Sequence, residues 1–227
     1  MDNYIDVIQK IGRICGTAAC FYVETFRIIN CPNLGVNMQL SREVLIKLES
    51  GLNEIKLPKT EKVMVASSYF SICMEHYRSI LMLIDVKLYG SASSLLRCLF
   101  ECYVKGLWFQ YCASSEDIEK LRRDKFNKTF STLIADIEAS RDGNVSGLSN
   151  AKKHIWDSLN NYTHSGPAQI ARRVSGSSIE PNYTDDFVSD IFSFANNYGL
   201  LAAGQLALLS NNKTAQQHVL EASQLLL

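Results

Sequence analysis

The sequence predicts an all-α protein, a single-domain helical bundle spanning residues 1–227. Only four prolines occur, at positions 32, 58, 167 and 181, so long segments lack the residue that breaks helices. Within these segments apolar residues recur at steps of three and four, the period of an amphipathic helix. No strong strand signal is present. We divide the domain into N-terminal helices over 1–58, a helical core over 59–210 and a C-terminal helix over 211–227.

The first helices are predicted from apolar periodicity and from the residues that stop it. A helix is expected from about residue 5 to Asn30, because Pro32 restricts the conformation of the residue before it. A second helix is expected from Ser41, whose side chain is suited to an N-cap, to about Ile55.

The two central helices are predicted on either side of a glycine. Thr60 caps a third helix that runs to about Tyr89, Gly90 interrupts the path, and Ser91 caps a fourth helix that runs to Cys112. The fourth segment is apolar around nearly its whole circumference. Because such a helix is normally buried on all sides, we expect it at the centre of the bundle.

The later helices are predicted from capping residues and loop composition. Ser114 or Ser115 caps a short helix whose acidic residues precede its basic ones, the order that the helix dipole prefers. The others are expected over 126–139, from Ser149 to Gly166, from Thr184 to Leu209 and around Val219, with loops over 141–147 and 172–183.

Composition restricts the class of protein. The 23 basic and 23 acidic residues cancel, so the protein as a whole has no positive charge that would attract nucleic acid. Only a local basic patch could do so. The seven cysteines include no CxxC pair and lie in apolar runs, as reduced core thiols do, so we expect no zinc site. The N-terminus does not have the pattern of a signal peptide, and no stretch is long enough to cross a membrane. We therefore expect a cytoplasmic protein without a membrane partner.

A charged stripe on the most apolar helix is the first candidate for a site. Arg97, Glu101 and Lys105 follow one another at four-residue steps, so they share one face of the helix. Unpaired buried charges cost several kcal/mol or more, so these side chains must pair or face a cavity. They form either a salt-bridge ladder that fixes helix packing or the wall of a polar pocket.

A second polar group lies in the segment HIWDSLNNYTHSG. Trp156, Asn160 and His164 share a face at four-residue steps, and His164 lies where the helix ends. A histidine there either caps the helix by bonding to a carbonyl group or acts as a general acid or base at the mouth of a pocket. We expect Arg97, Glu101, Asn160 and His164 to line one pocket, with Tyr162 or Trp156 as its apolar wall.

Two adjacent arginines follow this helix. Arg172 and Arg173 come directly after a turn and are suited to binding a phosphate or a carboxylate, although paired arginines are also common on solvated surfaces. The sequence has no Gly-rich phosphate loop, no HExxH pair and no GxSxG motif. Any chemistry is therefore expected to be acid–base chemistry that uses no metal and no cofactor.

The order of these motifs resembles a known family. The segments SASSLLRCLFECYVKGLWFQYCAS, NNYTHSG, ARR and IEPNY resemble an uncharacterised family of bacterial proteins with a domain of unknown function, over roughly residues 60–210. More loosely, the pattern is similar to the HEPN superfamily of helical bundles. Many HEPN proteins are dimeric, metal-independent ribonucleases of toxin–antitoxin and phage-defence systems.

The HEPN signature is an arginine, a polar residue, three further residues and a histidine. Asn160 and His164 match it, whereas Leu159 occupies the arginine position, so the resemblance implies an arginine from elsewhere in the chain. In this hypothesis His164 is the acid or base for RNA cleavage, an arginine stabilises the phosphorane and Glu101 orients a partner. The alternative is a non-catalytic homodimer or binding module for a partner protein or a small anion. The resemblance and the apolar closing run QLLL both favour a homodimer.

Overall fold

A computed structural model describes residues 34–140 and 147–226 of the chain. The helix predicted over residues 5–30 and most of the loop predicted over 141–147 lie outside these ranges. The described helices are α1 (Leu34–Leu52), α2 (Glu61–Asp85), α3 (Tyr89–Tyr111), α4 (Ser115–Arg122), α5 (Phe130–Ser140), α6 (Gly147–Thr163), α7 (Pro167–Ala171), α8 (Asp185–Leu209) and α9 (Lys213–Gln224). The strands β1 (Val174–Ser175) and β2 (Ser178–Ile179) form a hairpin.

The α3 helix lies at the centre of the bundle, as its apolar circumference predicts. It packs against α2, α5, α6 and α8. Leu99 and Phe100 are wholly buried, and the Phe100 ring lies edge-on to Phe194 of α8. The all-α fold class is therefore confirmed, with one short hairpin as its only sheet among the described residues.

A buried polar network joins α1, α2 and α8. The Tyr77 hydroxyl lies 2.6 Å from Asn196 Oδ1, and Asn196 Nδ2 donates to Ser41 Oγ at 2.9 Å. The prediction of Ser41 as an N-cap is wrong, because α1 already begins at Leu34. The Ser41 hydroxyl instead accepts a hydrogen bond from another helix, a tertiary role that the local sequence does not reveal.

The junction between α2 and α3 also differs from the prediction. α2 ends at Asp85, and Lys87 makes the turn with a φ of +59°. α3 then begins at Tyr89, so Gly90 lies inside its first turn and Ser91 is not its cap. Gly90 is needed there because a Cβ would lie 2.6 Å from the Tyr183 hydroxyl oxygen. The glycine marks a close approach between chain segments and not a break.

The capping residues predict most of the other helix starts. The side chains of Thr60, Ser114 and Thr184 each accept a hydrogen bond from a backbone N–H in the first turn of α2, α4 and α8. Two starts are shifted: α5 begins at Phe130 and not near Phe126, and α6 begins at Gly147, before Ser149. Both helices still lie close to their predicted places.

The segment after α6 contains a short helix that the sequence does not predict and a hairpin inside the predicted loop over 172–183. Pro167 begins α7, where its missing N–H costs nothing. A hairpin follows, in which Val174 pairs with Ile179 and Gly176 turns the chain with a φ of +60°. The strands have two residues each, too short to give an alternating pattern in the sequence.

Other predictions concern the environment of the chain. No described helix combines the length and the apolarity needed to span a bilayer. Cys73, Cys98, Cys102 and Cys112 are free thiols, and burial raises the pKa of Cys102 to about 11 despite the opposing charge of Lys105. Of these thiols Cys73 is buried in the core, as the sequence predicts, and the other three are partly exposed. Cys15, Cys20 and Cys31 lie outside the described residues.

Candidate functional site

One face of α3 carries the charged stripe predicted from the sequence. Arg97 Nε donates to Glu101 Oε1 at 2.7 Å, and Lys105 Nζ lies 3.8 Å from Glu101 Oε2. About a quarter of the Arg97 and Glu101 side-chain surfaces is exposed, at 23% and 24%. The stripe is therefore a salt-bridge ladder on a half-buried face that solvent reaches. Each of its charges has an intrahelical partner.

The end of α6 places His164 beside this stripe. The backbone N–H of His164 donates to the Asn160 carbonyl group at 2.9 Å, and Gly166 N–H donates to the Asn161 carbonyl group at 2.7 Å. Ser165 between them has a φ of +52°. This is the Schellman arrangement, with a left-handed residue just after the cap. It fixes the backbone of His164 and leaves its side chain free to point toward α3.

The side chain of His164 contacts Arg97 and does not cap the helix. Arg97 Nη1 and His164 Nε2 are 2.6 Å apart. An arginine only donates hydrogen bonds, so His164 Nε2 is the acceptor in this contact. The His164 side chain is exposed. The pair therefore brings a ring nitrogen and a guanidinium into direct contact at the surface.

Trp156 forms the apolar wall of this site. The Arg97 guanidinium carbon lies 4.9 Å from the centre of the Trp156 ring, and Lys152 Nζ lies 5.5 Å from it. Phe130 of α5 stacks on the same tryptophan, with ring centres 4.6 Å apart. Cation–π contacts of this kind hold a cation where its N–H groups remain available. Trp156 thus joins the arginine–histidine pair to α5.

A cavity adjoins Trp156 between α5 and α6. It encloses about 330 Å³ and is lined by Ser131, Ile134, Ser149, Lys152, Lys153, Trp156 and Asp157. Lys152 Nζ is 2.5 Å from Ser131 Oγ and so already has a neutral partner. Arg97 and Lys152 place two cations against the Trp156 ring, and the cavity lining adds Lys153 and the acidic Asp157.

The side chains of two predicted site residues, Asn160 and Tyr162, form no hydrogen bond with Arg97 or His164 in the described part of the chain. Asn160 lies one turn before His164 and is half-buried, and its side chain makes no hydrogen bond in the described part of the chain. The Tyr162 ring packs edge-on to Phe187 of α8, with ring centres 5.4 Å apart. Of the two aromatic residues proposed as the wall, Trp156 faces the site and Tyr162 faces the neighbouring cluster.

Arg172 and Arg173 belong to that neighbouring cluster and not to the Arg97 pair. The Arg172 guanidinium carbon lies 3.7 Å from the centre of the Phe187 ring, and that of Arg173 lies 5.7 Å from the Tyr183 ring. Among the residues the structure describes, neither arginine forms an ion pair. The other five described arginines all do, namely Arg42, Arg78, Arg97, Arg122 and Arg123.

Sequence reasoning missed Ser94 and Gln169, which connect the two groups. Ser94 Oγ donates to the Tyr162 carbonyl group at 2.8 Å, and Gln169 Nε2 donates to the Gly90 carbonyl group at 2.9 Å. Gly90, Ser94 and Arg97 follow each other at helical spacing. That spacing is a signal that could have placed them on one face.

An aspartate on α8 adds an acid–base feature near Arg172. The pKa of Asp190 is raised to about 6, mainly by desolvation and then by the charge of Asp186, while Arg172 opposes the shift. The carboxylate nevertheless keeps access to solvent. No group of three or more His, Cys, Asp or Glu side chains is arranged for metal binding within the described residues.

Comparisons with known proteins identify only a family model. A model described as a family of unknown function, DUF6988, matches residues 70–225. The match includes the candidate residues on α3, α6 and the segment after α6. Comparison with curated proteins and with solved structures finds no match.

Proposed function

The chain belongs to the DUF6988 family, whose function is unknown, and we propose that it is a metal-independent ribonuclease of HEPN type, with His164 and Arg97 at its centre. The contact of 2.6 Å between Arg97 Nη1 and His164 Nε2 carries the proposal. It brings a base and a cation together at an accessible surface. Acid–base cleavage of RNA next to a 2′-hydroxyl needs these two groups.

His164 acts as the general base in this proposal. Its Nε2 is the unprotonated nitrogen in the resting arrangement, where Arg97 covers it. When a phosphodiester binds, its negative oxygens attract the guanidinium, and Nε2 becomes available to the 2′-hydroxyl. Glu101 keeps hold of Arg97 through Nε at 2.7 Å, so the guanidinium pivots and stays in the site.

The chemical step then balances without a metal. His164 Nε2 takes the proton of the 2′-hydroxyl, and the 2′-oxygen attacks phosphorus. Arg97 stabilises the charge on the phosphorane oxygens. The bond from phosphorus to the 5′-oxygen breaks, and the leaving oxygen takes a proton from water. The hydroxide formed in this way takes back the proton from His164, which returns to its starting state. The products are a 2′,3′-cyclic phosphate and a 5′-hydroxyl.

A cleavage assay in excess EDTA tests this function. The wild-type chain should cleave single-stranded RNA to cyclic phosphate ends, and it should not cleave the same substrate with a 2′-deoxy sugar at the scissile position. His164→Ala should reduce activity by roughly 100-fold or more, the typical contribution of a general base. Lys213→Ala, at the start of α9 and away from the site, is the matched control. Equal activity of the wild type and His164→Ala would reject the proposal.

A second candidate is a non-catalytic module that binds an oxyanion. The observation that favours it is the ion pair between Arg97 and Glu101, which neutralises the guanidinium that catalysis would use. In this case RNA or another anion binds and is not cleaved, and His164→Ala changes affinity only. The EDTA assay therefore separates the two candidates when it is run together with a binding measurement.

We further propose that the chain acts as a homodimer in the cytoplasm, in phage defence. Support for a dimer comes from exposed apolar side chains beside the Arg42–Asp85 ion pair, which links α1 to α2. Ile46 and Met82 are each 65% exposed, and Val86 is 62% exposed. The closing leucines of the sequence give weaker support, because Leu226 is buried in the core.

A further inference from the structure

We propose a second phosphate site beside Gly90, formed by Arg172, Arg173 and Tyr183, which holds another phosphate of the RNA strand whose cleavage is proposed above. The inference rests on that proposed function for the identity of its ligand. Its evidence is separate, since the ring contacts of the two arginines involve neither Arg97 nor His164.

Buried polar atoms without partners are the first evidence. Arg172 Nε, the Tyr183 hydroxyl oxygen and Gln169 Oε1 are buried, and none makes a hydrogen bond in the described part of the chain. A buried polar atom normally has a partner, because leaving one unsatisfied destabilises the fold. Two of these groups can donate and one accepts. A ligand with an anionic oxygen and a hydroxyl group would satisfy all three.

The arrangement around Gly90 is the second evidence. A Cβ at this position would lie 2.6 Å from the Tyr183 hydroxyl oxygen, 2.9 Å from Gln169 Nε2 and 3.0 Å from Arg173 Nη2. Three polar side chains from the segment after α6 thus meet at the first turn of α3. The N-cap residue of this helix, Leu88, supplies no side-chain hydrogen bond. A helix N-terminus with free N–H groups favours an anion, as do the two arginines.

The aromatic neighbours explain how the arginines are held without ion pairs. The Arg172 guanidinium lies on Phe187, which also stacks on Tyr183 with ring centres 5.6 Å apart. The charge of Arg172 lowers the pKa of Asp190, but the carboxylate does not form an ion pair with Arg172 in the described structure. The guanidinium is therefore fixed by packing while its charge remains available to a ligand.

The geometry of α3 connects this site to the proposed catalytic pair. Gly90 and Arg97 are seven residues apart, so they lie on the same face, about 10 Å apart at about 1.5 Å per residue. A strand that runs along this face of α3 therefore contacts both sites within a few nucleotides. In this proposal Gln169 Oε1, which has no partner in the described part of the chain, accepts a hydrogen bond from a ribose 2′-hydroxyl, the group that distinguishes RNA from DNA.

Binding of labelled uridine oligonucleotides to the inactive His164→Ala chain tests the second site. The double change of Arg172 and Arg173 to Ala should weaken binding of a hexanucleotide about tenfold and leave a dinucleotide unaffected. The slope of hexanucleotide affinity against salt should fall by about 0.7 for each phosphate that the variant no longer neutralises. The control removes the same charge from Arg122 and Arg123, which are ion-paired on and next to α4, and should bind normally. Equal affinities of the two double variants would overturn the site.

Tyr183→Phe separates binding from folding. It removes one buried hydroxyl that has no partner among the described residues, so the melting temperature should stay constant or rise, while hexanucleotide affinity should fall about threefold. A lower melting temperature with unchanged affinity would overturn the inference. If the wild-type chain binds the hexanucleotide through Arg172 and Arg173 but never cleaves RNA, the site stands and the ribonuclease proposal fails. If the chain cleaves RNA and neither binding nor cleavage needs these arginines, the ribonuclease proposal stands and the second site fails.

Discussion

At the scale of single residues, Arg97 and His164 should affect stability differently. His164→Ala removes an exposed side chain at a helix end, so the free energy of unfolding should change by less than about 0.5 kcal/mol. Arg97→Ala leaves the half-buried Glu101 with only the longer contact to Lys105, and it should cost about 1–2 kcal/mol. Urea denaturation of both variants measures the difference.

The double replacement Arg97→Ala with Glu101→Ala is the control for that comparison. Removing both charges leaves no stranded carboxylate, so this variant should be more stable than Arg97→Ala alone. If His164→Ala is as destabilising as Arg97→Ala, the histidine has a structural role and does not act as the base.

Asp190 gives the protein a predictable response to pH. Its pKa is raised to about 6 in the folded chain from 3.8, so the folded protein holds this proton more tightly than the unfolded chain does. Ionising Asp190 therefore destabilises the fold above about pH 6, and the cost disappears below pH 3.8. Asp190→Asn should raise the melting temperature at pH 7.5, and the gain should shrink as pH falls from 6 to 4.

The size of this gain is limited because the carboxylate reaches solvent, and we expect about 1 kcal/mol or less. Asp185→Asn is the control, because that carboxylate lies in the first turn of α8, where the helix dipole favours its charge. It should give no gain at any pH. A gain from Asp190→Asn that is constant from pH 4 to pH 8 would contradict the assignment.

Helical spacing predicts contacts along a helix better than contacts between helices. The Arg97–Glu101–Lys105 ladder follows directly from four-residue steps. Arg97 and His164 are predicted to lie in one pocket because a buried charge needs polar neighbours, and the structure places the two side chains in contact. The orientation of Tyr162 toward Phe187 depends on the angle at which α6 crosses its neighbours, which no spacing contains.

At the scale of helices, two glycines should respond oppositely to substitution by alanine. A Cβ at Gly106 of α3 would lie 2.5 Å from a ring carbon of Phe70, so Gly106→Ala should destabilise the fold by about 1–3 kcal/mol. A Cβ at Gly204 of α8 would have ordinary contact with Val219 at 3.8 Å. Gly204→Ala should therefore stabilise the chain by about 0.5–1 kcal/mol, through helix propensity alone.

Thermal melts of the two alanine variants provide the measurement, and each variant is the control for the other. The chemical change is the same, and both positions lie inside long helices. If both variants raise the melting temperature, α3 does not pack as closely against α2 as these distances require. If both lower it, the prediction for Gly204 is wrong.

The helix boundaries show which part of the fold local sequence encodes. Thr60, Ser114 and Thr184 mark true starts, because capping is a contact within one turn. Ser41 and Gly90 are also residue types that often occur at helix ends, yet both lie inside helices. The Ser41 hydroxyl accepts a hydrogen bond from Asn196, and the missing side chain of Gly90 leaves room for Tyr183. Both partners are far away in the sequence.

At the scale of the whole molecule, we expect the chain to be a dimer. Light scattering at micromolar concentration should give twice the 25.5 kDa of one chain. Met82→Glu should convert it to a monomer, because it places a charge among the exposed apolar residues beside the Arg42–Asp85 pair. Ile179→Glu on the hairpin, where the side chain is 83% exposed, is the control and should leave the mass unchanged. A mass of one chain for the wild type would reject the dimer.

The single-domain organisation predicted for residues 1–227 stays a prediction. The all-α class could be predicted because it depends on the scarcity of proline and on the spacing of apolar residues, and both are seen along the whole sequence. The arrangement of helices could not, because it depends on pairs such as Asn37 with Ser189 and Lys47 with Glu221, which connect distant parts of the chain. Neither pair has a local signature.

The position of α1 has a consequence for the time course of synthesis. It packs mainly against α8 and α9 and less against α2, and the His218 ring donates to the Lys47 carbonyl group across 171 positions of the sequence. At roughly 5–20 residues per second, the ribosome needs about 9–34 s to make the second partner after the first. Val44 and Leu48 of α1 are wholly buried in the finished fold. Until the last helices emerge, α1 has mainly α2 to pack against among the described helices, so its packing should be completed late in synthesis.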